Sequence, residues 1–390
     1  MPIYLDNSAT TPVRAEVLEA MLPYLTENWG NPSSIHSAGR RAAKAIKKAR
    51  AQVAGLLNCL PEEIYFTSGG TMSNNIALLG RARFAEANGH GRHLITTAVE
   101  HPAVLGPAQF LESSGWKVTY LPVDKNGQVS LSAFERSLTS ETSVVSIMWA
   151  NNEIGTLQPV QGIADSVSSR EIFMHTDAIQ VAGKIPIDLT QLNISSLSLS
   201  AHKFYAPKGC GVIYLRRLAN VMPIVFGGGQ EMGVMPGTES LANIVALGVA
   251  AELAQKELAE NLLHLRRGQK IIADQLRQCE RLIITGPSNL EERLPGHLSY
   301  CLPGVEGEAL VLRSDLKGVQ ISSGSACHKG IIEASQVLKA IGLSKEQAMG
   351  SVRISIGRFN DEEQCRNAAQ ILFQVFAKAA GKTPQSVSFA

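Results

Sequence analysis

Hydrophobic and polar positions along this chain change period repeatedly, and the changes mark out its elements. Val13, Val17, Leu18, Met21, Leu22 and Leu25 recur at the spacing of a helix. From Ser37 to about Leu57 a second helix is predicted, with Ala42, Ile46, Ala49, Val53 and Leu56 along one face. Arg40, Arg41, Lys44, Lys47, Lys48 and Arg50 surround that face. Such a basic run usually reads as the solvated side of a helix, and less often as a surface for an acidic partner or phosphate groups. Short apolar runs then take over. Ile64–Phe66, His93–Thr97, Val144–Met148, Ile172–Met174 and Val212–Leu215 read as strands, and Leu197 and Leu199 alternate with Ser196 and Ser198. Strands and helices in this order predict an α/β fold, with a mostly parallel sheet and helices on both faces. A long helical region from about Glu239 to Cys279 follows. Shorter strands (His297–Leu302, Val319–Ser322, Val352–Ile356) then alternate with helices. The expected organisation is a large domain over residues 12–260 and a smaller α+β domain over 261–390 that recruits residues 1–11.

Composition narrows the class. A chain of 390 residues exceeds one ordinary core, and its 45% apolar content is ample for burial. The formal charge of +2 gives no electrostatic case for nucleic acid as the main partner. The opening MPIYLDNSAT has no basic segment followed by an apolar core, so no signal peptide is expected. No apolar run approaches the ~20 residues of a membrane span. Cys59, Cys210, Cys279, Cys301, Cys327 and Cys365 are scattered without a CxxC pair. A reducing cytosol is the simpler reading, with neither a disulfide framework nor a metal site.

The chemistry is expected just past the strand ends. Lys203 follows Ser200-Ala201-His202 there, where α/β proteins bind ligands, although most such lysines are solvated charges. Asp177 and Gln180 follow the run that starts at Ile172. Thr67-Ser68-Gly69-Gly70-Thr71 ends another strand before a helix expected near Ser73, and free amides at a helix start favour an anion, with Gly70 and Thr71 as the contacts. It is not a Walker loop, because the Gly-Lys-Ser/Thr ending is missing. His101 precedes Pro102 and reads alternatively as a helix cap; Asn152 lies in an Asn-rich turn.

Taken together, Asp177, Gln180 and Ser200-Ala201-His202-Lys203 resemble the fold-type I pyridoxal-phosphate enzymes of the class V aminotransferase group. More narrowly, the chain resembles the cysteine desulfurases of the NifS/IscS type. Tyr4-Leu5-Asp6-Asn7-Ser8-Ala9-Thr10-Thr11-Pro12 resembles their start, and Gly30-Asn31-Pro32-Ser33-Ser34-Ile35-His36 a loop near their substrate. Ser322-Ser323-Gly324-Ser325-Ala326-Cys327 matches their nucleophile loop residue for residue. The resemblance implies a homodimer that binds pyridoxal 5'-phosphate and converts L-cysteine to L-alanine. Sulfur would leave on Cys327 for an acceptor protein, such as an iron–sulfur scaffold or tRNA-thiolation enzyme. It implies that Lys203 forms the Schiff base, that Asp177 keeps the pyridine nitrogen protonated and that Gln180 tunes the ring hydroxyl. His101 would stack on the ring and move protons. Gly70, Thr71, Ser200, His202 and the partner's Thr238 would hold the phosphate. Asn152 would touch cofactor and substrate, His36 would lie near the substrate, and Arg353 would clamp its carboxylate. Cys327 would be activated by nearby positive charge, with His328 and Lys329 as candidates. Met232 and Met235 stand where the family commonly has arginines, which lowers the positive charge of that segment. Another class V enzyme, such as a selenocysteine lyase or aminotransferase, shares the cofactor residues but leaves the Cys327 loop without a purpose. A non-enzymatic sulfur-trafficking scaffold of the same fold is the reading from a different class, and the Lys203–Asp177 pair speaks against it.

Overall fold

The computed structural model describes residues 2–217, 219–324, 326–328 and 331–381, with the main chain alone at 326–328 and 331–333. In chain order the strands are β1 (Ile3–Tyr4), β2 (Ile64–Thr67), β3 (His93–Thr97), β4 (Lys117–Leu121), β5 (Thr142–Ser146), β6 (Phe173–Asp177), β7 (Ser196–Ser200) and β8 (Gly211–Leu215). They continue as β9 (Ile283–Ile284), β10 (His297–Cys301), β11 (Val319–Gln320), β12 (Ser322–Ser323), β13 (Ala326–His328), β14 (Ile331–Glu333) and β15 (Ser351–Ser355).

Seven of them form one sheet in the order β2-β8-β7-β6-β5-β3-β4. Only β8 runs against its neighbours, so the sheet is mostly parallel, as the alternation of strands and helices predicts. Side chains alternate across it. Leu94, Val144, Phe173 and Ile213 enter the core on one face, and their chain neighbours Ile95, Val145, Met174 and Val212 enter the core on the other. Helices cover both faces, which is why these strands read as continuous apolar runs. The helix Ser37–Leu57 buries Ala42, Ile46, Ala49, Val53 and Leu56 and leaves Arg41, Lys44, Lys47 and Lys48 exposed. It packs on the helix Leu241–Lys256 so closely that a Cβ at Gly248 would lie 2.6 Å from the Cα of Ala49.

A second core gathers Leu298, Tyr300, Val319, Val352 and Ile354 with the helices Leu258–Leu276 and Glu362–Ala379. Its sheet is antiparallel, in the order β12-β15-β10-β9. The amino-terminal arm joins it: β1 pairs in parallel with β11, and Leu5 is fully buried there. The arm then crosses to the first sheet, where Thr11 N donates to His202 O at 2.9 Å. Residues 6–10 therefore bridge the two cores.

Several boundaries differ from the expectation. The helix after β2 begins at Gly70, three residues before Ser73, because Gly69 at φ +148° makes the turn itself. β5 starts and ends two residues before the expected Val144–Met148. The edge strand β4, half exposed and mixed in polarity, gives no apolar run to read. The long helix expected over Glu239–Cys279 breaks at Glu257, which accepts from Arg14 and Arg358 instead of continuing one helix. In the first helix, Ala15–Thr26, only Val17 and Met21 are buried, and Leu18, Leu22 and Leu25 are exposed. Among the described residues no helix is long and apolar enough to cross a membrane.

Candidate active site

The carboxyl ends of β3, β5, β6 and β7 open on a cavity of about 570 Å³. Gly70, Thr71, His101, Asn152, Asp177, Gln180, Ser200, His202, Lys203 and Arg353 all line it. All but Arg353 come from the ends of strands of the seven-stranded sheet or the turns just after them, and the sheet brings these turns together, because its parallel strands end on the same edge.

Asp177 ends β6 and forms the floor. Its Oδ2 accepts from Asn74 Nδ2 at 2.7 Å, and its Oδ1 accepts from Ile179 N at 3.0 Å. Asn74 Oδ1 in turn lies 3.0 Å from His175 Nε2. An amide oxygen only accepts, so His175 carries its proton on Nε2. Burial holds that imidazole neutral, with its pKa pushed down to about 3. His175, Asn74 and Asp177 thus form a one-way chain of donors that ends on the carboxylate. Burial is the largest influence on Asp177 and raises its pKa, against its two hydrogen bonds and the nearby His101 and Lys203. A buried carboxylate facing a cavity in this way calls for a cation opposite it.

Lys203 sits in the short turn Ala201–Lys203 after β7. Its Nζ donates to the carbonyls of Ser8 and Ala9 at 2.6 and 2.8 Å, so the arm provides its seat. Burial pushes its pKa down to about 8, assisted by the Arg353 charge and opposed by Asp177 and Asp6. His202 Nδ1 meets Thr10 Oγ1 at 3.1 Å, and burial followed by the charges of Lys203 and Lys208 takes its pKa down to about 4.

His101 serves two ends at once. Its Nδ1 accepts from Ala103 N at 3.0 Å and caps the helix Pro102–Ser113. The neutral ring therefore carries its proton on Nε2. The ring is open to the cavity but walled by protein atoms, and that desolvation lowers its pKa. The capping alternative and the cavity role are compatible.

The opposite wall comes from the second core. Arg353, at the centre of β15, gives Nη2 to Asp6 at 2.8 Å and Nη1 to Asn152 O at 3.0 Å, and its buried Nε has no partner. His297 Nε2 also reaches Asn152 O, at 3.2 Å. The fully buried Arg293 donates to Ile154 O at 2.9 Å, and Ser335 Oγ donates to Glu153 Oε2 at 2.5 Å. Arg353, His297, Arg293 and Ser335 thus fix the turn that presents Asn152.

Two predicted residues stand away from the cavity of their own chain. His36 is exposed and caps the helix Ser37–Leu57, where its Nδ1 accepts from Gly39 N at 3.3 Å. Thr238 is exposed beyond Gly237 and does not line this chain's cavity. The side chains of Cys327 and His328, and all of Lys329, lie outside the described residues. The main chain at Cys327 pairs with Ile332 in an antiparallel ribbon of β13 and β14, where a loop was expected. The β-branched Ile331 and Ile332 suit that strand. Just before it, Ser322 pairs with Arg353, so the Cys327 segment starts beside the cavity wall. Sequence reasoning missed Asp6, Ser8, Ala9, Asn74 and His175. Asp6, Ser8 and Ala9 stand in the opening stretch that carries the resemblance, and His175 two residues before Asp177; Asn74 left no signal.

The residues present fit pyridoxal 5'-phosphate: an amine, an uncompensated carboxylate for a ring nitrogen, and a glycine-opened helix start meet at one cavity of suitable size. The comparisons agree. The family model "Aminotransferase class-V" matches residues 3–367, and the chain belongs to that family of pyridoxal-phosphate enzymes. It is 43% identical over 384 residues to a protein named cysteine desulfurase IscS from Clostridium botulinum (strain Kyoto / Type A2), covering 98% of this chain and 96% of that one. Its identity to a cysteine desulfurase IscS from Methanosarcina thermophila is 43% over 382 residues, 98% and 94% of the two chains. Among solved structures, a NifS-like protein superposes with a TM-score of 0.90 at 37% identity, over 97% of this chain and 100% of that one. SspA in complex with cysteine superposes at 0.79 and 35%, over 91% and 99%.

Proposed function

We propose that this chain is a pyridoxal-phosphate-dependent cysteine desulfurase, which converts L-cysteine to L-alanine and carries the sulfur as a persulfide on Cys327. The observation that carries the reading is the meeting of Lys203, Asp177 and Arg353 around one cavity. When bound, the cofactor supplies an electron sink for charge leaving the substrate's α-carbon. Asp177, oriented by Asn74 and His175, holds the positive end of that sink. Lys203, whose amine rests on the Ser8 and Ala9 carbonyls, would hold the cofactor's aldehyde carbon and in its neutral form takes the α-proton. His101 presents Nε2–H to the same space. Arg353 receives the substrate carboxylate beside Asp6, and Asn152 closes that side. Gly70, Thr71, Ser200 and His202 hold the phosphate.

The Cys327 thiolate attacks the substrate sulfur. A sulfur–sulfur bond forms as the Cβ–S bond breaks, and that electron pair stays with the three-carbon fragment, which takes up protons and leaves as alanine. The sulfur then passes to an acceptor protein in the service of iron–sulfur assembly or thiolation. The working unit is a homodimer in the cytoplasm. The exposed Leu18, Leu22 and Leu25 and the place of Thr238 outside its own chain's cavity support the dimer, and the free state of the five described cysteines supports the compartment. His36 serves the substrate entrance from its helix cap.

The test is an alanine and sulfide assay on L-cysteine, with alkylation and mass spectrometry to trap the persulfide. Wild type should form alanine and carry the label on Cys327; Cys327→Ser should bind cysteine and stall. Wild-type rates of alanine release by Cys327→Ser would replace this mechanism with a cysteine-independent lyase.

A further inference from the structure

Lys184 is a buried lysine that the mechanism above does not use. Only 8% of it is exposed, and no carboxylate pairs with it among the described ion pairs. Its Nζ faces a single described acceptor, Gln180 Oε1, at 3.5 Å. Gln180 Nε2 donates to Ser8 O at 3.0 Å, and that carbonyl is the one that also receives Lys203. The order of atoms has one sense. Ser8 O can only accept, so it must face the Gln180 amide nitrogen, and Oε1 must face Lys184. One hydrogen of the amide nitrogen goes to Ser8, which leaves the second for the cavity that Gln180 lines.

We propose that Lys184 is a positioning residue: together with the Ser8 carbonyl, its amine holds the Gln180 amide in the orientation that presents N–H, not C=O, to the cofactor. This rests on the reading of the cavity as a pyridoxal-phosphate site. Without Lys184, the buried Oε1 would lose its partner, at a cost that a rotation of the amide or a shift of the side chain relieves. A methionine side chain, one heavy atom shorter, would fill most of the same space without a donor.

The setting makes the contact sensitive to protonation. Burial pushes the Lys184 pKa down to about 7, and the charges of Lys203 and Arg353 push in the same direction. A cavity of about 20 Å³ touches Lys184 and Lys203 and is also lined by Arg14, Tyr205, Glu257 and Arg358. From the second core, His297 feels the Lys184 charge. The ammonium form gives Gln180 a stronger, charge-assisted donor than the neutral amine does.

The experiment compares Lys184→Met, which removes the donor, with Lys184→Gln, which keeps a neutral donor. Thermal unfolding checks that both fold. In the protein without cofactor, the Gln180 side-chain amide is followed by selective nitrogen-15 labelling, assigned through Gln180→Asn. The wild-type signal should titrate with a midpoint near pH 7. In Lys184→Met it should move at all pH values and lose that titration; in Lys184→Gln it should stay near the wild-type position and also lose the titration. In the loaded protein, the pH midpoint of the bound cofactor's visible band should shift by about half a unit or more in Lys184→Met, and less in Lys184→Gln. Identical amide signals and band midpoints in wild type and Lys184→Met would overturn the proposal. Failure of wild type to develop the band would instead remove the cofactor reading, while the amide titration would still decide the contact.

Discussion

The two walls of the cavity are built differently. The sheet wall, with Asp177, Lys203 and His101, comes from turns of one sheet, and its polar groups are locked by short internal chains such as His175–Asn74–Asp177. The facing wall, with Arg353, Asn152 and the arm, is assembled across two cores from residues as far apart in sequence as Asp6 and Arg353. On the sheet wall, burial dominates the titrating groups, pushing Lys203 down and Asp177 up. On the facing wall, side chains from late in the chain meet carbonyls of the Asn152 turn and the Asp6 carboxylate. The first wall is suited to fixing charge and moving protons. The second is suited to gripping a substrate whose arrival exchanges one Arg353 partner for another. The comparison predicts that changes to the sheet wall abolish chemistry, whereas changes to the facing wall adjust affinity or pH dependence.

The largest effect is expected at Lys203. Lys203→Ala should abolish the borohydride-fixed cofactor adduct and lower turnover by about 10²–10⁴-fold, the usual contribution of a positioned proton-transfer group. Mass spectrometry of the reduced protein checks it; an adduct retained on another lysine would move the chemistry elsewhere. Asp177→Asn comes next. It removes one partner of a buried charge pair, which costs about 3–5 kcal/mol. Cofactor retention measured by dialysis should fall accordingly, and unchanged retention would remove Asp177 from the floor.

On the facing wall, Asp6→Asn keeps an oxygen for Arg353 but deletes a charge. Asp6 raises the Lys203 pKa, so its neutralisation should lower it. Activity that needs the neutral amine rises with pH through about 8 in the wild type. The acid limb of the pH–rate profile should therefore move to lower pH in Asp6→Asn, by a few tenths of a unit to about one. An upward shift would mean that Arg353 loses its position along with its partner.

The same contrast explains what was legible in the sequence. Several strands buried on both faces read as short apolar runs; Asp177 stood out after one of them, and Lys203 after the Leu–Ser alternation of β7. The polar alternation of β4 hid an edge strand. The Asn74–His175 contact spans 101 positions and the Asp6–Arg353 pair 347, and no local period marks partners chosen by tertiary packing. His36 was assigned by resemblance and stands outside this chain's cavity, a separation that no sequence period marks, whereas Thr238 was expected at the partner's cavity and stands outside its own.

The smallest effect on turnover, and the sharpest probe of the sheet wall's electrostatics, is expected at Glu100. It lies behind the cavity, 3% exposed, and does not line it. Its Oε1 accepts from Thr97 Oγ1 and Met148 N, both at 2.9 Å, and its buried Oε2 has no partner. Burial raises its pKa to about 8, with the Asp177 charge acting in the same direction and the two hydrogen bonds against it. The folded pKa thus exceeds the unfolded one, and the carboxyl takes up a proton on folding. Its contribution to stability is fully present below the unfolded value of about 4.5 and is lost as pH rises through about 8. Glu100→Gln keeps an oxygen for both donors and needs no proton. Relative to wild type it should be near neutral at pH 4–5 and more stable by about 2–4 kcal/mol at pH 8. Denaturant unfolding at several pH values measures this difference. A difference that stays constant from pH 5 to 8 would show that Glu100 folds as a carboxylate, and the sheet wall would then carry one more buried negative charge beside Asp177.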